Sequence, residues 1–196
     1  MRTRLVGGGL AVALAAVLAA GCSNASTPSV PGAPPLGSPT SAAVPADHNA
    51  ADVAFLQGMI PHHRQAVDMT GLAATRAASP EVKDLANRIA AAQGPEIEQM
   101  NRMLTAWGAP AGGMGGMGGM AGMMSGDQMA QLGAATGPVF DRMFLQMMTE
   151  HHRGAISQAQ NELAQGQNPE AEQLAEKIIS EQQAEITEMQ TLLTRV

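Results

Sequence analysis

Two pairs of adjacent histidines and two acids are the residues of this chain best able to do chemistry: His62-His63, His151-His152, Glu96 and Glu185. At about 100° per residue, Glu96 falls in the middle of an apolar helical stripe formed by Val82, Leu85, Ile89, Met100 and Met103. Glu185 takes the same place among Leu174, Ile178, Met189 and Leu192. A carboxylate on such a seam is costly unless it is paired, protonated or bound to a cation. With Met59 as reference, His62 lies at about −60° and His63 at about +40°, so both project from the core-facing half of one helix. Antiparallel pairing about a turn near residue 78 brings Glu96 within about one helical turn of both imidazoles. Met148, His151, His152 and Glu185 repeat the arrangement. Folded together, four His, two Glu and the thioethers of Met59 and Met148 converge near the middle of a bundle, a common place for metal ligands. The competing reading is a buried hydrogen-bonded network that fixes helix register. Adjacent histidines diverge by about 100° and cannot aim at one point, so one of each pair ligates while the other supports it or serves a second site.

A second candidate is a Gly-Gly-Met repeat carrying Met114, Met117 and Met120, followed by Met123, Met124 and Met129. Uncharged, polarisable sulfur favours Cu(I) and Ag(I) over Zn, Mg or Ca, and glycine lets a chain wrap an ion. An adaptable apolar segment packing on the bundle is the alternative. Imidazole must lose its proton to ligate and thioether need not, so a bundle site is expected to release metal before the loop below about pH 6.

The elements that must position these residues come from a duplication. Residues 52–107 lie over 141–196 at a constant offset of 89 with no gap and 20 identities in 56 positions. Ser79-Pro80-Glu81 and Asn168-Pro169-Glu170 read as helix starts: a capping side chain, proline at the first position and an acid favourable to the dipole. The periodicity predicts helices over 50–76, 80–107, 138–165 and 169–195. Each unit is an amphipathic hairpin that cannot hide its apolar face alone, so the two are expected to close into an all-α, ferritin-like four-helix bundle about a pseudo-two-fold axis. The 30-residue connection 108–137 reads as too Gly-rich for helix, yet it is long enough to traverse the bundle. Both up-down-up-down order and a crossover remain open at this point.

Aromatic residues make up only 2% of the 196, with no Tyr, which suits close-packed helices better than a β-sandwich. A net charge of −6 argues against nucleic-acid binding. The single cysteine excludes a disulfide framework and multi-cysteine metal sites. That cysteine, Cys22, follows Arg2, Arg4, an apolar run and Ala19-Ala20-Gly21. The layout reads as an export signal over 1–21 and looks like a lipobox, which would make Cys22 the acylated residue and membrane anchor; the alternative is an ordinary secretory signal with an incidental cysteine. Residues 22–46, rich in Pro, Ser and Ala, read as a disordered tether, leaving 47–196 as the folded domain.

Met59-Ile60-Pro61-His62-His63 together with Gln93-Gly94-Pro95-Glu96-Ile97 and Met100 resembles the bacterial family called domain of unknown function 305. The resemblance implies an exported, ferritin-like protein with some copper-handling relatives. It also implies that Asp52, Met59, His62, His63, Glu96 and Met100 are functional, as candidate metal ligands, with their mates Asp141, Met148, His151, His152, Glu185 and Met189. The second unit departs with Thr149-Glu150 and Gln183-Ala184, so unequal half-sites are expected.

The leading expectation is a lipid-anchored, extracytoplasmic protein that binds copper, Cu(I) foremost and Cu(II) as well, for sequestration, resistance or transfer to a partner. A metal-free envelope scaffold is one alternative. A di-metal ferritin-like oxidase is the other; the ligand types disfavour it, because the helices with buried Glu carry no His.

Overall fold

The computed structural model describes residues 47–111 and 120–196. The export signal, Cys22, the tether up to residue 46, Met114 and Met117 lie outside the described residues.

Among the described residues five helices form: α1 Ala50–Arg76, α2 Pro80–Ala106, α3 Gly126–Ala134, α4 Gly137–Gln165 and α5 Pro169–Leu193. The long helices start where the sequence supplies caps. Ser79 Oγ accepts from Val82 N, and Asn168 Oδ1 accepts from Glu170 N and Ala171 N. Asn49 opens α1 in a capping box closed by Asp52. Four of the five helices match the expected spans to within two residues. The correction is α3, inside the connection expected to be too Gly-rich for helix. Its glycines are concentrated earlier, and Ser125 with Gln128 forms a second capping box whose helix buries Leu132 in the core.

The acids at the starts of α1 and α4 fix the helix order. Asp52 accepts hydrogen bonds from Gln167 N and Asn168 N in the α4–α5 turn, at 3.0 and 2.9 Å. Its mate Asp141 accepts from Ala78 N and Ser79 N in the α1–α2 turn, at 3.1 and 2.9 Å. The start of α1 therefore lies beside the end of α4, and the start of α4 beside the end of α1. Every neighbouring pair is antiparallel, α2 and α4 run the same way, and the connection between them crosses the length of the bundle. Of the two orders left open by the sequence, the crossover is the one adopted.

The described parts of the connection, 108–111 and 120–137, lie against α1 and α4. Gln57 Nε2 donates to the Pro110 carbonyl near one end, and α3 packs across α1 and α4 towards the other. The core falls into two apolar clusters. One gathers Met69, Leu85, Ile89, Phe140, Phe144, Met148, Met189 and Leu192; the other gathers Phe55, Leu56, Met59, Met100, Met103, Leu174 and Ile178. Each fully buried side chain of this kind is worth about 1.5–3 kcal/mol. Between the clusters lies a polar layer.

Candidate metal centre

The polar layer contains His62, His63, His151 and His152, all fully buried, with Gln93, Gln182, Glu96 and the partly buried Glu185. On α1 and α4 the helical pitch turns the two histidines of each pair in different directions, as expected. His62 faces its own repeat mate: the rings of His62 and His151 lie 3.8 Å apart between centroids, tilted by 47°. Equivalent residues touch only on the symmetry axis, so the pseudo-two-fold runs between these two imidazoles.

His63 and His152 turn instead to the second helix of their own hairpins. His63 Nε2 donates to Glu96 Oε2 at 2.8 Å and His152 Nε2 to Glu185 Oε2 at 2.7 Å. Each acid thus meets one histidine, not both. Lys177 on α5 also donates from Nζ to Glu96 Oε1 at 2.5 Å. Burial by itself would raise the Glu96 pKa; the hydrogen bond from His63, and then Lys177, outweigh it and hold the carboxyl below its usual range.

The axis pair is held neutral. Burial, then the neighbouring His63, pushes His62 down to about 3. Burial and the surrounding imidazoles push His151 well below the ordinary value, with only a weak approach to the His62 main chain as an offset. Release of metal at about pH 6 by protonation of imidazole is therefore not expected at this pair.

The tautomers follow from the partners. A carbonyl or a carboxylate can only accept, so the Nε2 that faces Glu96, Glu185 or, for His62, the Ala121 carbonyl at 3.3 Å carries the proton. Among the described residues, that leaves Nδ1 of His62, His63 and His152 and both ring nitrogens of His151 buried without a hydrogen-bond partner. Both amide atoms of Gln93 and Oε1 of Gln182 are likewise unpartnered. Buried donors and acceptors left open in this way are available to a bound ligand. An imidazole whose N–H is held by a carboxylate or carbonyl, with its other nitrogen free, is the arrangement found behind metal-ligating histidines.

Among the described residues no three His, Cys, Asp or Glu side chains form a ready-made cage. An ion at the axis would draw on imidazole nitrogen first and complete its coordination with softer donors. Met59 and Met148 are buried one turn before His62 and His151 on the same helix faces. Met100 and Met189 are buried in the flanking apolar clusters. Asp52 and Asp141 are not part of this layer, since both are engaged at the helix-pair turns. In the connection, Met124 and Met129 pack against the core, which accords with the apolar alternative for these two. The Met120 sulfur lies 3.6 Å from where a Cβ on Gly58 would stand, and Met123 is partly buried.

Sequence reasoning missed Lys177, Gln65, Gly154, the Ala121 carbonyl and Glu162. The duplication held a signal for some of them: Lys177 is the repeat mate of Arg88, whereas Gln65 and Gly154 are repeat mates of opposite character.

Residues 52–193 match the family described as Domain of unknown function (DUF305). A DUF305 fragment from Deinococcus radiodurans is 33% identical, covering 76% of this chain and 98% of its own, with a TM-score of 0.71. A DUF305 protein from Streptomyces coelicolor described as secreted is 34% identical over 74% of this chain and 93% of its own, with a TM-score of 0.69. CopM in its Cu(I)-bound form is 32% identical over 74% and 96%, with a TM-score of 0.65, and its Cu(II)- and Ag-bound forms also match. An uncharacterized protein, L153 of Acanthamoeba polyphaga mimivirus, is 42% identical over 53 residues, 27% of this chain and 35% of that one. The chain spans about a third of that relative's length. By the extent of the family match and the shared bundle, this chain belongs to the DUF305 family.

Proposed function

We propose that this is an extracytoplasmic, lipid-anchored protein that binds copper, with Cu(I) as its principal cargo and Cu(II) as a second, in order to sequester it or pass it to a partner. One observation carries the reading: a buried, uncharged His62–His151 pair on the pseudo-two-fold, with open ring nitrogens, flanked by two imidazoles oriented by carboxylates. Neutral imidazole and thioether are donors suited to Cu(I). CopM, at 32% identity over nearly its whole length, has been captured with Cu(I), Cu(II) and Ag, which supports the same cargo here. The secreted Streptomyces relative supports placement outside the cytoplasm.

Binding rather than turnover is the activity proposed. A di-metal oxidase in a bundle needs Glu-x-x-His on two helices. The acid next to the α4 histidines in sequence, Glu150, is exposed and paired with Arg153.

The test is titration of the metal-free protein with Cu(I) against a competing chelator, in wild type and in His62→Ala/His151→Ala. Binding tighter than micromolar that is lost in the double variant supports the reading. Equal affinity in both proteins, or none in wild type, removes it.

A further inference from the structure

The connection treats the two repeats differently, and where it does so it touches the axis pair. Residues 120–125 lie as a strap across α1 and α4. On α1, Gln65 grips the strap main chain in both directions: Met124 N donates to Gln65 Oε1 at 2.7 Å and Gln65 Nε2 donates to Met124 O at 2.8 Å. On α4, the repeat mate of Gln65 is Gly154, and the strap uses its missing side chain. A Cβ on Gly154 would run into the Ala121 carbonyl and stand 2.7 Å from Gly122 Cα. Gly122 itself has φ +81, and a Cβ there would lie 2.7 Å from the Glu150 carbonyl oxygen and 2.9 Å from that of His151. Only glycine fits at either point. Seated in this way, the strap delivers one group to the centre, the Ala121 carbonyl, which accepts from His62 Nε2.

We propose that the strap is the positioning element of the centre: by holding the His62 Nε2–H, the Ala121 carbonyl fixes the tautomer and ring direction that present Nδ1 to an ion, as Glu96 and Glu185 do for His63 and His152. Gln65 and Gly154 are the seat that keeps the carbonyl in place. This rests on the proposed copper-binding reading and adds which atom of His62 binds and what orients it. The Gln65–Gly154 difference between the repeats follows, since one connection can serve only one member of the axis pair. A metallated imidazole is a stronger N–H donor, so ion binding tightens the strap. An ion bound instead through Nε2 would break the Ala121 hydrogen bond and loosen it.

The experiment uses Ag(I) as a soft ion without redox chemistry, on the full chain, in wild type, Gln65→Ala and Gly154→Ala. Amide exchange is read at Met124 and the ¹⁵N shifts of the His62 ring report which nitrogen is protonated. The expected result in wild type is a protonated Nε2 and slower Met124 exchange once Ag(I) is bound. Gln65→Ala and Gly154→Ala should each weaken Ag(I) binding by about 10–100-fold, the usual effect of removing a group that orients a ligating histidine. Gln65→Ala adds no bulk, so it separates positioning from the overpacking that Gly154→Ala introduces, and its thermal unfolding without metal checks that the bundle is intact. Faster Met124 exchange on Ag(I) binding, an Nε2 without its proton, or wild-type affinity in both variants overturns the proposal while leaving copper binding standing. Absence of Ag(I) and Cu(I) binding in wild type removes the copper-binding reading, and the positioning role with it.

Discussion

The two halves of the layer are copies in sequence and unequal in their surroundings. In the first half, Glu96 is held from both sides, by His63 and by Lys177, and its side chain is 6% exposed. In the second half, Glu185 has His152 alone among the described residues, and its side chain is 14% exposed. The repeat mate of Lys177 is Arg88, which would reach Glu185 by symmetry but instead pairs with Glu188 at 2.5 Å and with Asp84. Two substitutions give Arg88 these partners: Glu188 stands where the first unit has the neutral Gln99, and Asp84 where the second unit has Gln173. A second inequality lies at the helix starts. Asp52 has the buried Glu162 beside it, whereas the equivalent position next to Asp141 is Ala73. The histidine–carboxylate contacts survive in both copies because helix pitch and the hairpin impose them. The outer partners diverge because single surface substitutions decide them.

The largest expected effect tests what the halves share. If His62 and His151 bind one ion on the axis, His62→Ala and His151→Ala each lower Cu(I) affinity by more than about a hundredfold, beyond the range for supporting residues, and by similar factors. Chelator competition measures this, and a loss confined to one variant breaks the equivalence. The acids then show the difference. Glu96→Ala strands both His63 and Lys177 and is expected to cost about 3 kcal/mol, against about 1–2 for Glu185→Ala, in chemical denaturation without metal. Equal costs would mean that Lys177 contributes nothing.

Asp52 and Asp141 sharpen the contrast from outside the layer. Asp52 accepts three main-chain N–H groups, counting Asn49 at 2.5 Å with Gln167 and Asn168, and Asp141 accepts two. Their alanine variants should lose about 2–3 and about 1–2 kcal/mol of stability, the weight of losing hydrogen bonds to a charged acceptor. Metal affinity should not change, and a tenfold loss in either variant would restore these acids as ligands.

Acid–base behaviour gives the smallest effect. His62, lowered from 6.5 to about 3, binds fewer protons folded than unfolded between those values, so it makes the metal-free protein more stable as pH rises through that window. His151 acts in the same direction. Burial, then Asp52, raises Glu162 from 4.5 to about 8, so Glu162 makes the fold less stable as pH rises from 4.5 to 8. Together they place maximum stability near pH 6.5. Glu162→Gln should flatten the decline above that pH, worth about 1 kcal/mol per unit at most. A decline that persists in the variant would assign it to another group.

Much of this was legible in the sequence because the signals were periodic and duplicated. The helix spans, the two buried acids and their histidines follow from angle and offset alone. Helix order did not, since the apolar stripes are the same for either arrangement. It is decided by Asp52 and Asp141, which in sequence look like acids of a first turn. The contact of His62 with His151 also lay beyond periodicity, which gives directions within a hairpin but not how two hairpins meet. The strap was missed because its hold depends on an absent Cβ at Gly154 and on main-chain atoms, neither of which leaves a side-chain motif. Asp52 and Asp141 were proposed as ligands from resemblance, and their hydrogen bonding shows a different use.

The pseudo-two-fold through His62 and His151 bears on how such a centre arises and is counted. Donors that occur twice in the sequence meet at one point, so under the proposed function the axis pair would hold one ion per chain rather than one per repeat. A polypeptide with a single hairpin would have to find a second copy of itself to make the same pair, and its occupancy would fall on dilution. Fusing two copies makes assembly of the pair independent of protein concentration. It also lets each copy change alone, as Lys177 and the glycine beneath the strap already have.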